Sequence, residues 1–513
     1  MKQFLSFILF FVFAAALFQA CEKDHPNYTA IESYEFASLD DNGGRWKPVL
    51  LDSAGQKGIP APADISSASY QAELSELKAA SANPTADQAA AIDYWGSNAL
   101  IRWNEIACEL AAKYNLPPAP NADGSYSVPD AANPSKYPNF PFAHPPYTCR
   151  MLAYWGATQF DALIAAWHFK HKFNRPAPYK TDASIATHLP QNALPSYPSE
   201  GAVIAAVSQS VLTAMFPLEK DYIAAKANEH KNSLQWAGIN VKSDIAAGDS
   251  LGRAVAIVFL NRSRADGMRN AQSPRPISDS LRDAAQAKWG WHWENLEKPI
   301  RPVGITPLFG RVKPWCIPNV AAVRPVPPPA PGSAEFERAA AELREIADNL
   351  TEKQRAIANF WADGIGTYTP PGHWNRFAGA LMVKYRYNPL RAARTFAYLN
   401  MAVMDAGVSC WDAKYYYHYP RPSQAIPGFK TILGIPNFPS YTSGHSTFSS
   451  AAATVLGYIF PAEKARCDAW ADEAAQSRVY AGIHFSFDAE IGKTQGQAVG
   501  DYAVARAKQD GGE

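Results

Sequence analysis

The chain has 513 residues, 47% hydrophobic and 19% charged, with a formal net charge of +1. A chain of this length can bury a large core, enough for two packed units. The charge balance excludes a nucleic-acid footprint and a polybasic membrane surface, so a charged ligand must be held by a local cluster.

In chain order, Lys2 precedes the apolar run "FLSFILFFVFAAALFQA", which stops at Cys21 and the polar "EKDH". Residues 1–21 therefore read as an export signal rather than a fold element. The position of Cys21 is similar to the lipidated cysteine of bacterial lipoproteins, although Phe18 and Gln19 fit that cleavage pattern loosely; the alternative is a plain signal peptide. No later stretch stays apolar long enough to span a bilayer. The expectation is an exported protein, periplasmic or at the cell surface, touching the membrane only through a lipid anchor. Cys108, Cys149, Cys316, Cys410 and Cys467 are widely spaced and lack a metal-ligand rhythm. An oxidising compartment permits a disulfide among them, and spacing leaves the pair open.

The next elements come in two copies. "LPSYPSEGAVIAA" (Leu194 to Ala206) and "FPSYTSGHSTFSS" (Phe438 to Ser450) align at an offset of 244 residues, as do "FPLEK" with "FPAEK" and "AGINVKSDIAAG" with "AGIHFSFDAEIG". With a slip of two residues, "NRPAPY" around Arg175 meets "PRPSQA" around Arg421. One register held over dozens of residues implies an internal duplication. The first copy spans 22–323, the proline-rich "RPVPPPAPGS" at 324–333 forms an extended connector, and the second copy spans 334–513. Alanine-rich segments with three-and-four apolar spacing predict helices over "SAEFERAAAELREIADNL", "PLRAARTFAYLNMAVMDAGVSCWDAKYYY", "HSTFSSAAATVLGYIF" and "KARCDAWADEAAQSRVYAGIHF". Strand-like alternation is scarce, so the fold class is all-α, two tandem helical bundles.

Residues shared by the copies are structural candidates, and residues present in one copy are candidates for chemistry. His445 faces Gly201, His484 faces Asn240, Arg478 faces Leu234 and Lys414 faces His168, while Asp488 and Asp244, the glycines and the prolines are shared. The active site thus belongs to the second copy. The "HFKHKFNR" cluster (His168 to Arg175) of the degenerate first copy reads as a solvated basic face. Lys414, Arg421 and Arg478, with a helix N-terminus at "TSGHS", suit a compact oxyanion such as phosphate or vanadate. Thr442 or Ser443 can cap that helix and leave the Gly444 N–H for an anion oxygen. If the following segment is helical, His484 and Asp488 share a face and the carboxylate orients the imidazole. An oriented neutral histidine is a nucleophile toward phosphorus or a ligand to a metal oxyanion, and His445 can serve as acid–base. Singly, each histidine reads as a structural group and Arg421-Pro422 as a helix end; the combination points to chemistry.

Lys414, Arg421-Pro422, "SGH" (Ser443 to His445) and "SRVYAGIHFSFD" (Ser477 to Asp488) resemble the three motifs of the type 2 phosphatidic acid phosphatase superfamily. "DAGVSCWDAKYYYHYPRP" (Asp405 to Pro422), with Trp411 ahead of the lysine, and "FWADGIGTYTPPGHWN" (Phe360 to Asn375) are more similar to its vanadium-dependent haloperoxidase branch. The resemblance implies His484 as the vanadium ligand, or as the nucleophile of a phosphatase. It implies Lys414, Arg421, Ser443, Gly444 and Arg478 as partners of the oxyanion, His445 as acid–base, Asp488 as the group orienting His484, and Asp363 as support for the arginines. Phe438 stands where chloroperoxidase-like members carry phenylalanine. Thr442 replaces the usual proline before Ser-Gly-His, which implies a less rigid anion loop. The implied cofactor is vanadate, with phosphate or sulfate fitting the same place. The implied reaction is halide oxidation by hydrogen peroxide, its partners small molecules. The alternatives are an acid phosphatase and a non-catalytic, anion-binding surface lipoprotein.

Overall fold

Two buried aspartates, one in the middle of each of two 29-residue helices, organise the architecture. The computed structural model describes residues 31–117, 141–297 and 303–513, so the export signal and Cys21 lie outside the described residues. Those residues contain no strand. The first half comprises α1 (Ala68–Ser81), α2 (Ala86–Gly96), α3 (Ala99–Tyr114), α4 (Pro145–Phe173), α5 (Glu200–Met215), α6 (Lys220–Trp236), α7 (Lys242–Arg264) and α8 (Arg275–Trp289). The second comprises α9 (Ala334–Asp348), α10 (Glu352–Phe360), α11 (Thr369–Lys384), α12 (Pro389–Tyr417), α13 (Gly444–Ile459), α14 (Lys464–Tyr480) and α15 (Ser486–Ala507).

The long helices α4 and α12 start alike and end alike. His144 and Asn388 accept the N–H of Tyr147 and Arg391, proline follows at the first helical position, and Asn174 and His418 end the helices in the left-handed region. The two helices pack against each other at Gly156, where a Cβ would stand 2.8 Å from the Phe396 carbonyl oxygen. Glycine is needed there because backbone meets backbone. Halfway along α4, the Asp161 carboxylate accepts the N–H groups of Val49, Leu50 and Leu51 at 2.5, 2.8 and 2.9 Å. Halfway along α12, Asp405 does the same for Trp315, Cys316 and Ile317 at 2.7, 2.6 and 3.0 Å. Each carboxylate straps a non-helical segment across its helix. Burial pushes both up to about 6, offset by the three N–H donors.

Other contacts recur at the same 244-residue offset. Arg150 pairs with Asp266 at 2.7 Å and Arg394 with Asp510 at 2.8 Å. The N-caps Ser199 and Ser443 donate their N–H to the carbonyls of Asp244 and Asp488, both at 3.0 Å. Lys170 donates to Pro195 O, as Lys414 does to Pro439 O. Lys414 therefore matches Lys170 rather than His168, because the two-residue slip begins only after Asn174 and His418, where Tyr419 and Pro420 intervene before Arg421. The basic cluster of the first half is only in part a solvated face, with His171 and Lys172 exposed. Lys170 and Arg175 are buried and paired with Glu200 and Asp244.

Residues 31–513 form one compact unit. Segment 303–323 lies on α12, with Ile305 O accepting from Trp411 Nε1 at 3.0 Å. The connector that follows is pinned by three tyrosines. Tyr417, Tyr441 and Tyr419 donate their hydroxyls to the carbonyls of Pro325, Val326 and Pro329 at 2.5, 2.7 and 2.6 Å. Prolines suit that role, having no N–H to leave unpaired. The five described cysteines are all unpaired, and no described helix is long and apolar enough to cross a membrane.

Removing either strap should orphan three buried or half-buried N–H groups. Asp161→Ala and Asp405→Ala should each lower unfolding stability by about 3 kcal/mol or more in denaturant titrations. A loss below about 1 kcal/mol for both would show that the straps hold nothing.

Candidate active site

Five segments of the second half converge on one point: the end of α12, the loop before α13, the end of α14, the turn into α15 and the loop after α10. Lys414 lies one turn before the C-terminus of α12 and is fully buried. Its ammonium donates to the carbonyls of Pro439, Ser440 and Thr442 at 2.8, 2.7 and 2.6 Å, which ties down the loop that leads into α13. All three of its N–H groups are thus engaged by the loop, and the charge reaches a ligand through space rather than through a free donor. Arg421 caps a one-turn helix, donating from Nε to Phe438 O and from Nη1 to Ile483 O, at 3.1 and 2.7 Å. Its Nη1 also stands 3.0 Å from His484 Nε2. Arg478, in the last turn of α14, donates to Ser477 Oγ and Ala358 O at 2.8 and 2.7 Å.

α14 ends at Tyr480, so His484 is not helical as the sequence pattern suggests. It sits in a turn made possible by Gly482 at φ +73°, and Asp488 occupies the third position of α15. The four-residue spacing still brings them together, because a carboxylate at that position turns back toward the residues before its helix. Asp488 Oδ2 accepts from Phe485 N at 3.2 Å, His484 Nδ1 at 2.9 Å and Ser440 Oγ at 2.5 Å. With Nδ1–H committed to the carboxylate, Nε2 carries the lone pair that faces Arg421.

Ser443 caps α13, accepting from Ser446 N at 3.4 Å. The N–H groups of Gly444 and His445 find no acceptor among the described residues. A Cβ on Gly444 would meet nothing nearer than 3.8 Å, so the glycine leaves a small buried hollow at the positive end of the helix. His445 follows, its side chain 16% exposed and Nε2 3.8 Å from Asp363. Asp363 itself engages His373 Nδ1 at 3.1 Å. It raises the Arg478 pKa through space, so its direct partners are histidines rather than the arginines expected from the sequence. Trp411 and Phe438 stand 5.0 Å apart, and the Phe438 ring lies 5.1 Å from both Lys414 Nζ and Arg421 Cζ. Thr442 is held by Gln495, its hydroxyl donating at 2.7 Å, as well as by Lys414. The loop is therefore pinned without the usual proline.

The electrostatics match this crowding. Burial pulls Lys414 down, with Arg421 adding to the shift. It pulls Arg421 to about 9 and Arg478 to about 10. His484 falls well below its ordinary value through burial, then Arg421 and Lys414; His445 falls through burial, then Arg478 and His373. Three buried cations and two neutral imidazoles face one another around a helix N-terminus, and an anion would relieve them all. The residues thus fit a compact oxyanion such as vanadate or phosphate. Ser440 and His373 escape the sequence reading. Ser440 matches Ser196, which contacts Asp244 at 3.2 Å, so its presence in both copies classes it as structural.

The sequence model of the PAP2 superfamily matches residues 394–508, which contain every proposed cage residue but Asp363. The vanadium chloroperoxidase of Curvularia inaequalis is 27% identical over a stretch covering 23% of this chain and 24% of its own, so the match spans about a quarter of that relative. A bacterial vanadium-dependent iodoperoxidase superposes with a TM-score of 0.56 at 23% identity, covering 70% of this chain and 91% of that one. A bacterial vanadium-dependent chloroperoxidase superposes at 0.51 and 15% identity, covering 74% and 96%. Residues 394–508 are thus similar to the PAP2 superfamily. Over 70% and 74% of its length, respectively, the chain shares the fold of these two solved vanadium-dependent peroxidases.

Because burial and then Arg421 depress Lys414, an anion that restores its charge must bind with proton uptake. Sulfate does not titrate near neutrality, so the sign comes from the protein: affinity should fall as pH rises from 7 toward 9.5, by up to about tenfold per unit per proton. Calorimetry of sulfate binding checks this, and Lys414→Met should flatten the slope. A slope unchanged in that variant would remove Lys414 from the linkage.

Proposed function

We propose that this chain is a vanadium-dependent haloperoxidase that oxidises halide with hydrogen peroxide. The observation that carries the proposal is the neutral His484 imidazole, held by Asp488 with its Nε2 lone pair turned into a cage of buried cations. Vanadate bound there would supply a Lewis-acidic centre that activates peroxide toward halide. His484 Nε2 would hold it. Arg421, Arg478 and the N–H of Gly444 would offset the negative charge of its oxygens, and Lys414 would add its field while fixing the loop. His445 is the most exposed of the cage side chains, and its Nε2 has no hydrogen-bond partner in the described residues. It can therefore take up and return a proton, with Asp363 favouring the charged form. Phe438, half-buried beside both cations, lines the approach.

The choice over an acid phosphatase is supported by the paired-bundle fold, which extends over 91% and 96% of two solved vanadium peroxidases. A phosphatase would use the same residues differently, with His484 attacking phosphorus and His445 protonating the leaving alcohol. The export signal read in residues 1–21 supports a place outside the cytoplasm.

Protein incubated with vanadate, then given hydrogen peroxide and bromide, should halogenate a reporter phenol, and phosphate should suppress this by competing for the cage. His484→Ala should reduce the rate at least about 10³-fold, the scale on which essential catalytic groups act. Fast hydrolysis of a phosphomonoester without vanadate, together with no halogenation after loading, would assign the site to phosphoryl transfer instead.

A further inference from the structure

The first half contains a cavity of about 350 Å³ at the positions that match the cation cage. Gly201, Leu234 and Asn240 line it, standing 244 residues before His445, Arg478 and His484. The framework around it is retained: Ser199 caps α5 by accepting from Ala202 N at 3.2 Å, and its hydroxyl reaches Asn240 Oδ1 at 2.9 Å. The charges are different. Lys170 is 1% exposed, its charge paired with Glu200 at 2.8 Å and a further N–H given to Pro195 O at 2.5 Å. No unpaired cation lines the cavity, and the exposed Glu35 carboxylate stands at its edge. An anion would have nothing to bind.

A different polar group is aimed into this space. His230 is 1% exposed, and its Nδ1 accepts from Trp103 Nε1 at 3.2 Å, which places the ring proton on Nε2. That N–H has no partner among the described residues. It lies 3.4 Å from where a Cβ on Gly201 would stand, on the cavity side. Burial pulls the ring down to about 3, so it stays a neutral donor at any physiological pH. Trp95 lies parallel to it, with centroids 4.6 Å apart and planes 13° apart, and Leu234, Ile204 and Ile239 supply apolar walls. A volume in the range of ~300–1,000 Å³, apolar walls and one convergent donor are the usual attributes of a small-molecule site.

We propose that this cavity is a second ligand site, taking a small uncharged aromatic molecule whose oxygen accepts the His230 Nε2–H. The mutual neutralisation of Glu200 and Lys170 disfavours charged ligands of either sign, which would be desolvated without a partner. The apolar walls of Ile204, Leu234 and Ile239 beside the edge of the His230 ring favour an apolar ring carrying a single acceptor oxygen.

The test uses the full chain and four probes, phenol, benzoate, benzylamine and sulfate, each titrated and followed by ligand-observed NMR. Two variants separate this cavity from the cage. Gly201→Leu fills it; the new Cβ meets Leu234 methyls at 2.9 and 3.0 Å, the far end of a flexible side chain that can yield. His230→Phe keeps the ring and removes the donor, and thermal melting confirms that each variant folds. Phenol should bind the unaltered chain and lose at least about tenfold in affinity in both variants. Benzoate and benzylamine should bind at least about tenfold more weakly than phenol. The proposal is overturned by no phenol binding at millimolar concentration, by equal binding in the folded Gly201→Leu variant, by benzoate or benzylamine matching phenol, or by sulfate binding lost in Gly201→Leu.

Discussion

Asp488 is the group on which the rest of the site depends. Its carboxylate closes the start of α15 through Phe485 N, fixes the proton of His484 and receives the Ser440 hydroxyl, while its own carbonyl accepts Ser443 N at the start of α13. One buried side chain and its backbone thus set the turn, the loop and the helix N-terminus relative to one another. All three donors go to Oδ2, while the buried Oδ1 has no hydrogen-bond partner among the described residues, so Lys414 and Arg421 offset part of the cost of burying the charge through space. The orientation of the imidazole therefore follows from satisfying a structural requirement of the turn.

Asp244 holds the matching place in the first half, and the comparison isolates what makes the second half chemical. Asp244 accepts from Val241 N at 3.1 Å and Asn240 Nδ2 at 3.4 Å, and it pairs directly with Arg175. In the second half, Tyr419 and Pro420 intervene before the arginine, and Arg421 engages Ile483 O and His484 Nε2 instead of the carboxylate. An arginine neutralised by aspartate is a structural pair; one that reaches past it to an imidazole keeps its charge available. Two inserted residues, with the Asn240/His484 and Leu234/Arg478 differences, separate a closed ion pair from a cationic pocket.

The fold was legible because helix periodicity and the long repeat are both local or linear signals. The predicted "PLRAARTFAYLNMAVMDAGVSCWDAKYYY" is the whole of α12, capped by Asn388 and ended by His418. Of the candidate cage residues, His445, Arg478 and His484 differ from Gly201, Leu234 and Asn240 and are marked by the comparison of segments, whereas Lys414, Arg421, Ser443 and Asp488 match Lys170, Arg175, Ser199 and Asp244 and are marked only by the family resemblance. Their hydrogen bonds were not legible. Lys414 spends its donors on loop carbonyls, Asp363 turns to histidines, and His484 leaves the helix, because each outcome depends on where backbone carbonyls and a left-handed glycine fall in space. Ser440 was hidden by the comparison itself, since a residue doing structural work in both halves looks the same whether or not one copy also supports chemistry.

The first half shows what the framework becomes once the charges are removed. Three buried cations around a helix N-terminus repel one another, so the second half carries a local instability that a bound anion would relieve. In the first half that constraint is absent: Lys170 and Arg175 are each paired with a carboxylate, Leu234 replaces the distal arginine, and the polar straps at Asp161 and Ser199 are unchanged in kind. The space left behind has apolar walls at Ile204, Leu234 and Ile239, the neutral His230 donor and a polar rim that includes Asn98, Gln191 and Asn240. The scaffold and the charge set are therefore separable. The straps, caps and close glycine contacts specify the bundle, and the cage is a small group of substitutions placed where that bundle already brings a helix N-terminus, a turn and a buried carboxylate together.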